Sequence, residues 1–463
     1  MAANHQIPEE PKVAVVMVPL PAQGHLNQLL HLSRIISSYD IPVHFVGTPT
    51  HNRQTKLRAH GWDPLTVSNL HFHEFPIPSF DVPPPNPNAP TKYPTQLLPL
   101  FNASIHLREP ICALLKELSK TSKRVIVIHD VLMFWVIQDV PSIPNAESYC
   151  FHSTSAFTMY YFGRVFAGKP ILVNGEPLKD LPPIDSLYPQ ELAQYIAQQE
   201  NSRKCNYGNL YNNCRVIEGQ YLNLLAEEKL TDTENHWAIG PFNPVTIPER
   251  KNPNKCLEWL DQKPQNSVIF VSFGTTTSLS DEEVKEIAVG LERSGQNFIW
   301  VLRDADRGDV FIGEARKAQI PEGFEERIEG RGIIVRDWAP QLEILGHPST
   351  GGFMSHCGWN SCIESITTGV PIAGWPMHSD QPLNAILVKS VLRIGLIVRE
   401  WEARNEIVKS ETVEEAVKKL MASPEGAEMR QRAAELSNAV KNSVTEGGAS
   451  FAELKIFIAH ITR

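Results

Sequence analysis

Apolar runs of strand length, each followed by a turn and a segment with helical spacing, limit most strongly how this chain can fold. Residues 13–20 form such a run, a turn follows at residues 21–24, and apolar residues then recur every three or four positions up to Ile36. Further apolar runs lie at residues 43–47 and 125–128. A run without polar alternation indicates a strand covered on both faces, as in a parallel sheet. The pattern therefore predicts an α/β fold.

The same alternation begins again in the second half of the chain, after a proline-rich stretch that starts near Gly240. Ser280 with Glu283 three places later is a capping box, which predicts that a helix begins there. Further strands are predicted at residues 267–273, 298–302, 333–335, 352–354 and 370–374.

The length of the chain suits two doubly wound, Rossmann-like domains that face each other across a cleft. The predicted boundaries are residues 1–240 for the first domain, 241–255 for a linker, 256–445 for the second domain and 446–463 for a final helix. Nine prolines between residues 76 and 99 predict a long surface loop without regular structure, near the rim of the functional site.

Charge and composition exclude several classes of function. The 463 residues include 43 basic and 52 acidic side chains, a formal net charge of -9, which favours neither nucleic acid nor an anionic membrane surface as a partner. The seven cysteines include no C-x-x-C pair, so we expect a reducing compartment and no structural zinc. The polar first residues and the short apolar run after them predict no secretion and no membrane insertion. We expect a cytoplasmic, monomeric protein.

The 44 residues from Trp338 to Gln381 are the most informative stretch. A short strand is predicted to end at His356, and the Gly-Trp-Asn-Ser sequence after it starts a helix. Free N–H groups at a helix start, with the Asn360 amide beside them, favour an anion such as a diphosphate. Glu364, one turn later, can accept hydrogen bonds from the vicinal hydroxyls of a ribose. The segment therefore suits a nucleotide linked to a second group.

This segment resembles the donor-binding signature of the plant family 1 UDP-sugar glycosyltransferases, in length and in nearly every polar position. The resemblance implies a GT-B type fold and a UDP-sugar as donor. It also implies contacts to the base and ribose from Trp338, Ala339, Gln341 and Glu364, to the diphosphate from Thr275, His356, Asn360 and Ser361, and to the sugar from Trp359, Asp380 and Gln381. The final glutamine is the family's usual mark of glucose.

The first domain supplies the second part of the resemblance. His25 follows the first strand and opens the first helix, where the positive end of the helix dipole should keep its imidazole neutral. Transfer to an alcohol needs a general base, and in this family the histidine at this position has that role. An aspartate at the end of a later strand, matched by Asp130, orients it and stabilises its charged form. Looser matches suggest that Ser153 contacts the donor sugar and that Ser379 faces the acceptor.

Within the family the chain is most similar to the zeatin O-glucosyltransferases, which also have glutamine at the position of Gln28, where proline is common elsewhere. The resemblance implies inverting transfer of glucose from UDP-glucose to a hydroxyl of a zeatin-type cytokinin, and a final helix that crosses back to the first domain. Flavonoids or other plant phenols are the alternative acceptors, and UDP-xylose remains an alternative donor. A non-catalytic protein that binds nucleotide sugars is the alternative of another class.

Individual residues have structural explanations as well. Taken singly, Trp338 is as readily a core aromatic residue and His356 a buried, hydrogen-bonded histidine, but the whole set in this order favours the functional interpretation. Asp304 and Asp306 form a D-x-D sequence that other glycosyltransferases use for a metal, and we expect a solvated loop there. No metal is needed, because the helix start and His356 can neutralise the leaving diphosphate.

Overall fold

The computed structural model describes residues 13–59, 61–173, 175–178, 181–199, 206–247, 253–314 and 316–463. The strands are β1 Val13–Val18, β2 Val43–Gly47, β3 Leu70–Glu74, β4 Arg124–Asp130, β5 Ala146–His152, β6 Leu172–Val173, β7 Glu176–Pro177, β8 Asn206–Tyr211, β9 His236–Ala238, β10 Val268–Ser272, β11 Asn297–Val301, β12 Gly332–Val335, β13 Thr350–Ser355, β14 Ile372–Gly374 and β15 Gly395–Ile397.

Helices connect most of these strands. They are α1 Gln23–Ser37, α2 Pro49–Leu57, α3 Leu98–Ala103, α4 Arg108–Thr121, α5 Ala156–Phe166, α6 Gln190–Ala197, α7 Arg215–Glu227, α8 Lys255–Leu260, α9 Asp281–Ser294, α10 Phe324–Arg327, α11 Gln341–Leu345, α12 Trp359–Thr368, α13 Gln381–Ile386, α14 Ser410–Ala422, α15 Pro424–Ser443 and α16 Ala449–Ile461.

Two parallel sheets carry the fold. The first has the strand order β3-β2-β1-β4-β5-β8-β9 and the second has the order β12-β11-β10-β13-β14-β15. The order reverses between β1 and β4 in the first sheet and between β10 and β13 in the second. Ligands of doubly wound sheets bind outside the carboxyl ends of the strands at such a reversal. The topology therefore places one binding crevice in each sheet.

The two halves share a hydrophobic core as well as a cleft. Tyr160 of α5 and Tyr221 of α7 belong to the same buried cluster as Ile363 of α12 and Leu383 of α13. The last helix, α16, packs on β9, and its Phe457 lies in the core of the first sheet. Burial of apolar area is the main stabilising contribution to such contacts, so the two halves are held in a fixed arrangement around the cleft.

The α/β fold with two parallel sheets, predicted from the apolar runs, is confirmed. Each predicted strand is present, with ends displaced by at most two residues, and the capping box at Ser280 begins α9. The proline-rich loop ends earlier than predicted: Thr95 begins a short 3₁₀ helix, and Pro99 lies in the first turn of α3, where its missing N–H leaves no bond unmade. In the described part of the chain, no helix is both long and apolar enough for a membrane span.

Candidate active site

One cleft between the two halves, with a volume of about 360 Å³, collects nearly every site residue predicted from the sequence. Asp130 is the exception, because it lies behind His25 and is fully buried. The predicted residues that line the cleft are His25, Ser153, Thr275, Trp338, Ala339, Gln341, His356, Trp359, Asn360, Ser361, Glu364, Ser379, Asp380 and Gln381.

His25 and Asp130 form a hydrogen-bonded pair at the strand-order reversal of the first sheet. His25 lies in the first turn of α1, directly after β1, and Asp130 is the last residue of β4. The Asp130 Oδ2 lies 2.6 Å from the His25 Nδ1, and the other carboxylate oxygen accepts the Leu132 N–H at 2.9 Å. The Ser153 hydroxyl lies 3.0 Å from the same His25 nitrogen. Since Nδ1 is held in this way, Nε2 is the nitrogen available to a substrate.

The charge of Asp130 also sets the protonation of His25. Burial lowers the pKa of His25. The charge and the hydrogen bond of Asp130, together with the charge of Asp380, raise this pKa by more than burial lowers it, so the net pKa lies above the ordinary value of 6.5. The helix dipole alone would lower this pKa, so the net shift is opposite to the one expected from the dipole. A full negative charge at 2.6 Å outweighs the partial charges of a helix end. The pair stabilises an imidazolium once a proton has been accepted.

At the strand-order reversal of the second sheet, His356 follows β13 and packs between two glycines. A Cβ atom on Gly274 would lie 2.6 Å from the His356 Nε2, and one on Gly358 would lie 2.5 Å from it. Gly274 also has a φ of +79°, which favours glycine. Burial lowers the pKa of His356 to about 4, so its ring is neutral at physiological pH and donates from one nitrogen only.

The start of α12 contacts the first domain directly. The Asn360 Nδ2 donates to the Gly24 carbonyl at 2.8 Å. This hydrogen bond joins the start of α12 to the residue before His25. The Trp359 indole is 2% exposed and donates to the Asn212 carbonyl at 2.9 Å. Its side chain is therefore part of the interface between the halves, and the residue also lines the cleft.

Glu364 lies one turn further along α12 and is nearly buried. The Gln341 Nε2 donates to its Oε2 at 2.8 Å and lies 3.0 Å from the Ser361 hydroxyl. Burial raises the pKa of Glu364, and the hydrogen bond from Gln341 lowers it by less, so the net pKa is about 7. A carboxylate held at this depth has its other oxygen available for hydroxyl donors, such as a ribose diol.

The indole of Trp338 follows β12 and remains 37% exposed at the edge of the cleft. The guanidinium of Arg58, from the first domain, lies 4.5 Å from its ring centroid, within the range of a cation–π interaction. Arg58 also pairs with Asp306 at 2.6 Å, and Arg303 pairs with the same carboxylate at 2.5 Å. The aromatic edge of the site is thus supported by both halves.

The D-x-D sequence is not the solvated loop that we predicted. Asp304 is 8% exposed and accepts a hydrogen bond from Ser278, while Asp306 is 7% exposed and holds the two arginines. The prediction failed because both carboxylates have partners within the protein: Asp306 pairs with the neighbouring Arg303 and with the distant Arg58, and Asp304 accepts from Ser278. Among the residues that the structure describes, no three histidine, cysteine or acidic side chains are grouped to hold a metal ion.

The Asp380-Gln381 pair lies where α13 begins. The Asp380 Oδ2 accepts hydrogen bonds from the Thr154 hydroxyl at 3.0 Å and from the Asn384 amide at 2.7 Å. The Gln381 Oε1 accepts the main-chain N–H groups of Met377 and His378 at 2.8 and 3.1 Å. The Gln381 Nε2 also lies 3.3 Å from the His378 Nε2. Both side chains are therefore held within the protein while they line the cleft.

Comparisons with known proteins agree with this geometry. A family described as "Glycosyltransferase, N-terminal domain" matches residues 11–244, and one described as "UDP-glucoronosyl and UDP-glucosyl transferase" matches residues 243–439. A zeatin O-glucosyltransferase from Phaseolus lunatus is 52% identical over 100% of both chains. This chain belongs to the UDP-glycosyltransferase family. It is an enzyme whose donor is a UDP-sugar, which sets aside the non-catalytic alternative.

Further relatives extend this result for the glycosyltransferase. A zeatin O-xylosyltransferase from Phaseolus vulgaris is 50% identical over 98% of this chain and 99% of that protein. The structure of a UGT transferase from Siraitia grosvenorii in complex with UDP superposes with a TM-score of 0.78, at 28% identity, and covers 98% of this chain and 100% of that one. The predicted GT-B fold and the resemblance to zeatin glucosyltransferases are confirmed.

The glycosyltransferase also has site residues that sequence reasoning missed. Arg58 and Thr154 support predicted site residues from distant parts of the chain, and Asn384 supports Asp380 from one turn later in the same segment. An apolar wall from the first domain completes the cleft. Its side chains are Tyr93, Leu97, Phe101, Val131, Leu132, Phe162, Tyr188, Leu192 and Ile196.

Proposed function

We propose that this glycosyltransferase transfers glucose from UDP-glucose, with inversion at the anomeric carbon, to a hydroxyl of a zeatin-type cytokinin. The observation that carries the proposal is the contact between Asn360 and Gly24, which brings the start of α12 next to the His25–Asp130 pair. The apolar wall of the cleft suits a flat, largely apolar acceptor. The 52% and 50% identities to zeatin glycosyltransferases support this class of acceptor.

In the proposed reaction, the His25 Nε2 accepts the proton of the acceptor hydroxyl while that oxygen attacks the anomeric carbon. The bond from this carbon to the diphosphate oxygen breaks, and UDP leaves with the bonding electron pair. Asp130 stabilises the imidazolium that forms, because its carboxylate is 2.6 Å from Nδ1. Attack opposite to the leaving group inverts the configuration, and no covalent intermediate with the enzyme is formed.

The second domain binds the donor in this proposal. Trp338 stacks on the uracil, with Ala339 and Gln341 beside the base and ribose, and Glu364 accepts the ribose hydroxyls. The diphosphate lies at the start of α12, where free N–H groups favour an anion. The residues assigned to it are Thr275, His356, Asn360 and Ser361. These uncharged donors and the positive end of the helix stabilise the charge of the leaving UDP, so the proposed reaction needs no metal.

Trp359, Asp380 and Gln381 contact the sugar, with Ser153 beside it, and Ser379 faces the acceptor. UDP-xylose is a second candidate donor, favoured by the 50% identity to a zeatin O-xylosyltransferase. A cytoplasmic location and a monomeric state are part of the same proposal.

The test is a product screen of zeatin-type cytokinins against flavonoids, each with UDP-glucose and UDP-xylose. We expect a cytokinin O-glucoside as the main product, and a flavonoid glucoside as the main product would refute the acceptor class.

His25→Ala should retain UDP binding and lose about 10² to 10⁴ in kcat, the usual contribution of a general base. The matched control is His106→Ala, since His106 is an exposed histidine outside the cleft. Normal turnover in His25→Ala would refute the mechanism.

A further inference from the structure

Asn384 is a fully buried side chain of α13, and both ends of its amide are hydrogen-bonded. Its Nδ2 donates to the Asp380 Oδ2 at 2.7 Å and to the Cys357 carbonyl at 3.0 Å. Its Oδ1 accepts the Ser155 hydroxyl at 2.7 Å, with the Thr158 hydroxyl at 3.4 Å. The amide therefore uses both of its hydrogens and its oxygen at once.

These partners belong to three separate parts of the site. Asp380 lies beside the sugar subsite, Cys357 lies in the turn before α12, and Ser155 is the N-cap residue of α5 in the first domain. The Ser155 hydroxyl accepts the Thr158 N–H at 3.1 Å, which directs its own hydrogen to Asn384. Asn384 thus connects the acceptor half of the molecule to the donor half.

We propose that Asn384 is a positioning residue that orients the Asp380 carboxylate toward the donor sugar. A free carboxylate rotates over a broad range about its terminal torsion. Two donors on one oxygen, Asn384 and Thr154, remove this freedom for a carboxylate that lines the cleft. The proposal rests on the proposed function, in which Asp380 binds the sugar hydroxyls.

The chemistry of the site explains why an amide is required here. An apolar side chain of similar volume would fill the same space, but it would leave the Asp380 oxygen and the Cys357 carbonyl without these donors. An aspartate would place a second carboxylate oxygen 2.7 Å from Asp380, and two carboxylates this close repel each other. Only a side chain with a donor and an acceptor satisfies all these partners.

The first domain therefore takes part in sugar recognition without touching the nucleotide. Thr154 binds Asp380 directly, and Ser155 fixes the acceptor end of the Asn384 amide. We infer that the sugar subsite is complete only when the two halves are in the arrangement seen here. Selectivity between sugar nucleotides should then respond to substitutions in the first domain.

The test compares Asn384→Asp with the control Asn438→Asp, which makes the same chemical change at an exposed position of α15. Binding of UDP is measured by calorimetry, and kcat/KM is measured with UDP-glucose. We expect kcat/KM for UDP-glucose to fall by about 10- to 100-fold, the range for a lost hydrogen bond to a charged group. The affinity for UDP should fall by less than kcat/KM does, because only the contact with the Cys357 carbonyl lies beside the proposed diphosphate site. The control should match the wild type in both measurements.

Equal losses for UDP and UDP-glucose would indicate a general distortion and overturn the proposal. Asp380→Ala separates the two hypotheses: wild-type kinetics in this variant would refute the sugar contact itself. A loss in Asp380→Ala with none in Asn384→Asp would refute only the positioning role. If Asn384→Asp does not fold, Thr154→Val removes the other donor to Asp380. Its kcat/KM for UDP-glucose should fall by about 3- to 10-fold with UDP binding retained, and an unchanged value would overturn the proposal.

Discussion

Replacing Asp130 by asparagine tests how the first domain prepares its general base. The substitution keeps the shape of the side chain and removes the buried charge that lies 2.6 Å from the His25 Nδ1. An asparagine still accepts a hydrogen bond, but it no longer stabilises an imidazolium, and it permits the wrong tautomer of the ring. The variant therefore isolates the electrostatic part of the contact.

The geometry sets the size of the effect. Two opposite unit charges about 4 Å apart, at an effective dielectric constant of about 20, attract each other by about 4 kcal/mol. The hydrogen bond that asparagine keeps and the solvent at the open side of His25, whose side chain is 24% exposed, reduce the net loss. Since one factor of ten in rate corresponds to about 1.4 kcal/mol, we expect kcat to fall by about 10² to 10³.

The pH profile gives the second readout. In the wild type the pKa of His25 is raised from 6.5, and below that pKa the ring is protonated and cannot accept the acceptor proton. The acidic limb of kcat/KM should therefore lie above pH 6.5. In Asp130→Asn the cause of the rise is gone, and the limb should move to lower pH. An acidic limb that does not move, or an unchanged kcat, would refute the reasoning. The control is Asp139→Asn, which loses the surface pair with Arg108 and should behave as the wild type.

Three further outcomes are expected. Because burial raises the pKa of Glu364 to about 7, the affinity for UDP should fall as the pH falls below about 7, and calorimetry should find this dependence absent in Glu364→Gln. Arg58→Ala should lower the free energy of unfolding by about 1–3 kcal/mol, because Asp306 stays buried with Arg303 as its only strong partner; the control Arg108→Ala, at an exposed pair, should lose less than about 1 kcal/mol in the same denaturant titration. EDTA should leave turnover unchanged, and recovery of a lost activity by added divalent cation would contradict the proposed metal-free reaction.

The strands that could be predicted from the sequence are those with a recognisable apolar pattern within a few consecutive residues. Residues 13–18 of β1, 125–128 of β4 and 268–271 of β10 are continuously apolar because both faces of a central parallel strand are covered. By contrast, β8 contains two asparagines and a glycine, which are depleted in strands. It is a strand because β5 and β9 pair with it on both sides, and such partners are invisible in a local pattern.

The residues of the candidate site also fall into two groups, those that a local sequence pattern predicts and those that it does not. His356, Asn360 and Glu364 could be predicted because one strand, one turn and one helix place them in a fixed local spacing. Arg58 could not be predicted as a site residue. It follows α2 and contacts Trp338 and Asp306, and Asp306 lies almost 250 residues later in the chain. The direction of the His25 pKa shift could not be predicted for the same reason. It depends on how closely Asp130 approaches the ring, and that distance of 2.6 Å is not visible in a local pattern.

The contact between Asn360 and Gly24 shows how donor binding and base placement are joined. An asparagine amide carries two hydrogens, and the Gly24 carbonyl takes only one of them. In the proposed mechanism the other hydrogen is available to a diphosphate oxygen, so that one amide bridges the leaving group and the turn that carries His25. A Cβ atom on Gly24 would lie 3.9 Å from the Asn360 Nδ2, so a side chain larger than alanine at this position would press on the bridging amide. A bound diphosphate therefore restrains the same amide that holds the catalytic turn, which favours reaction in the arrangement of the two halves seen here.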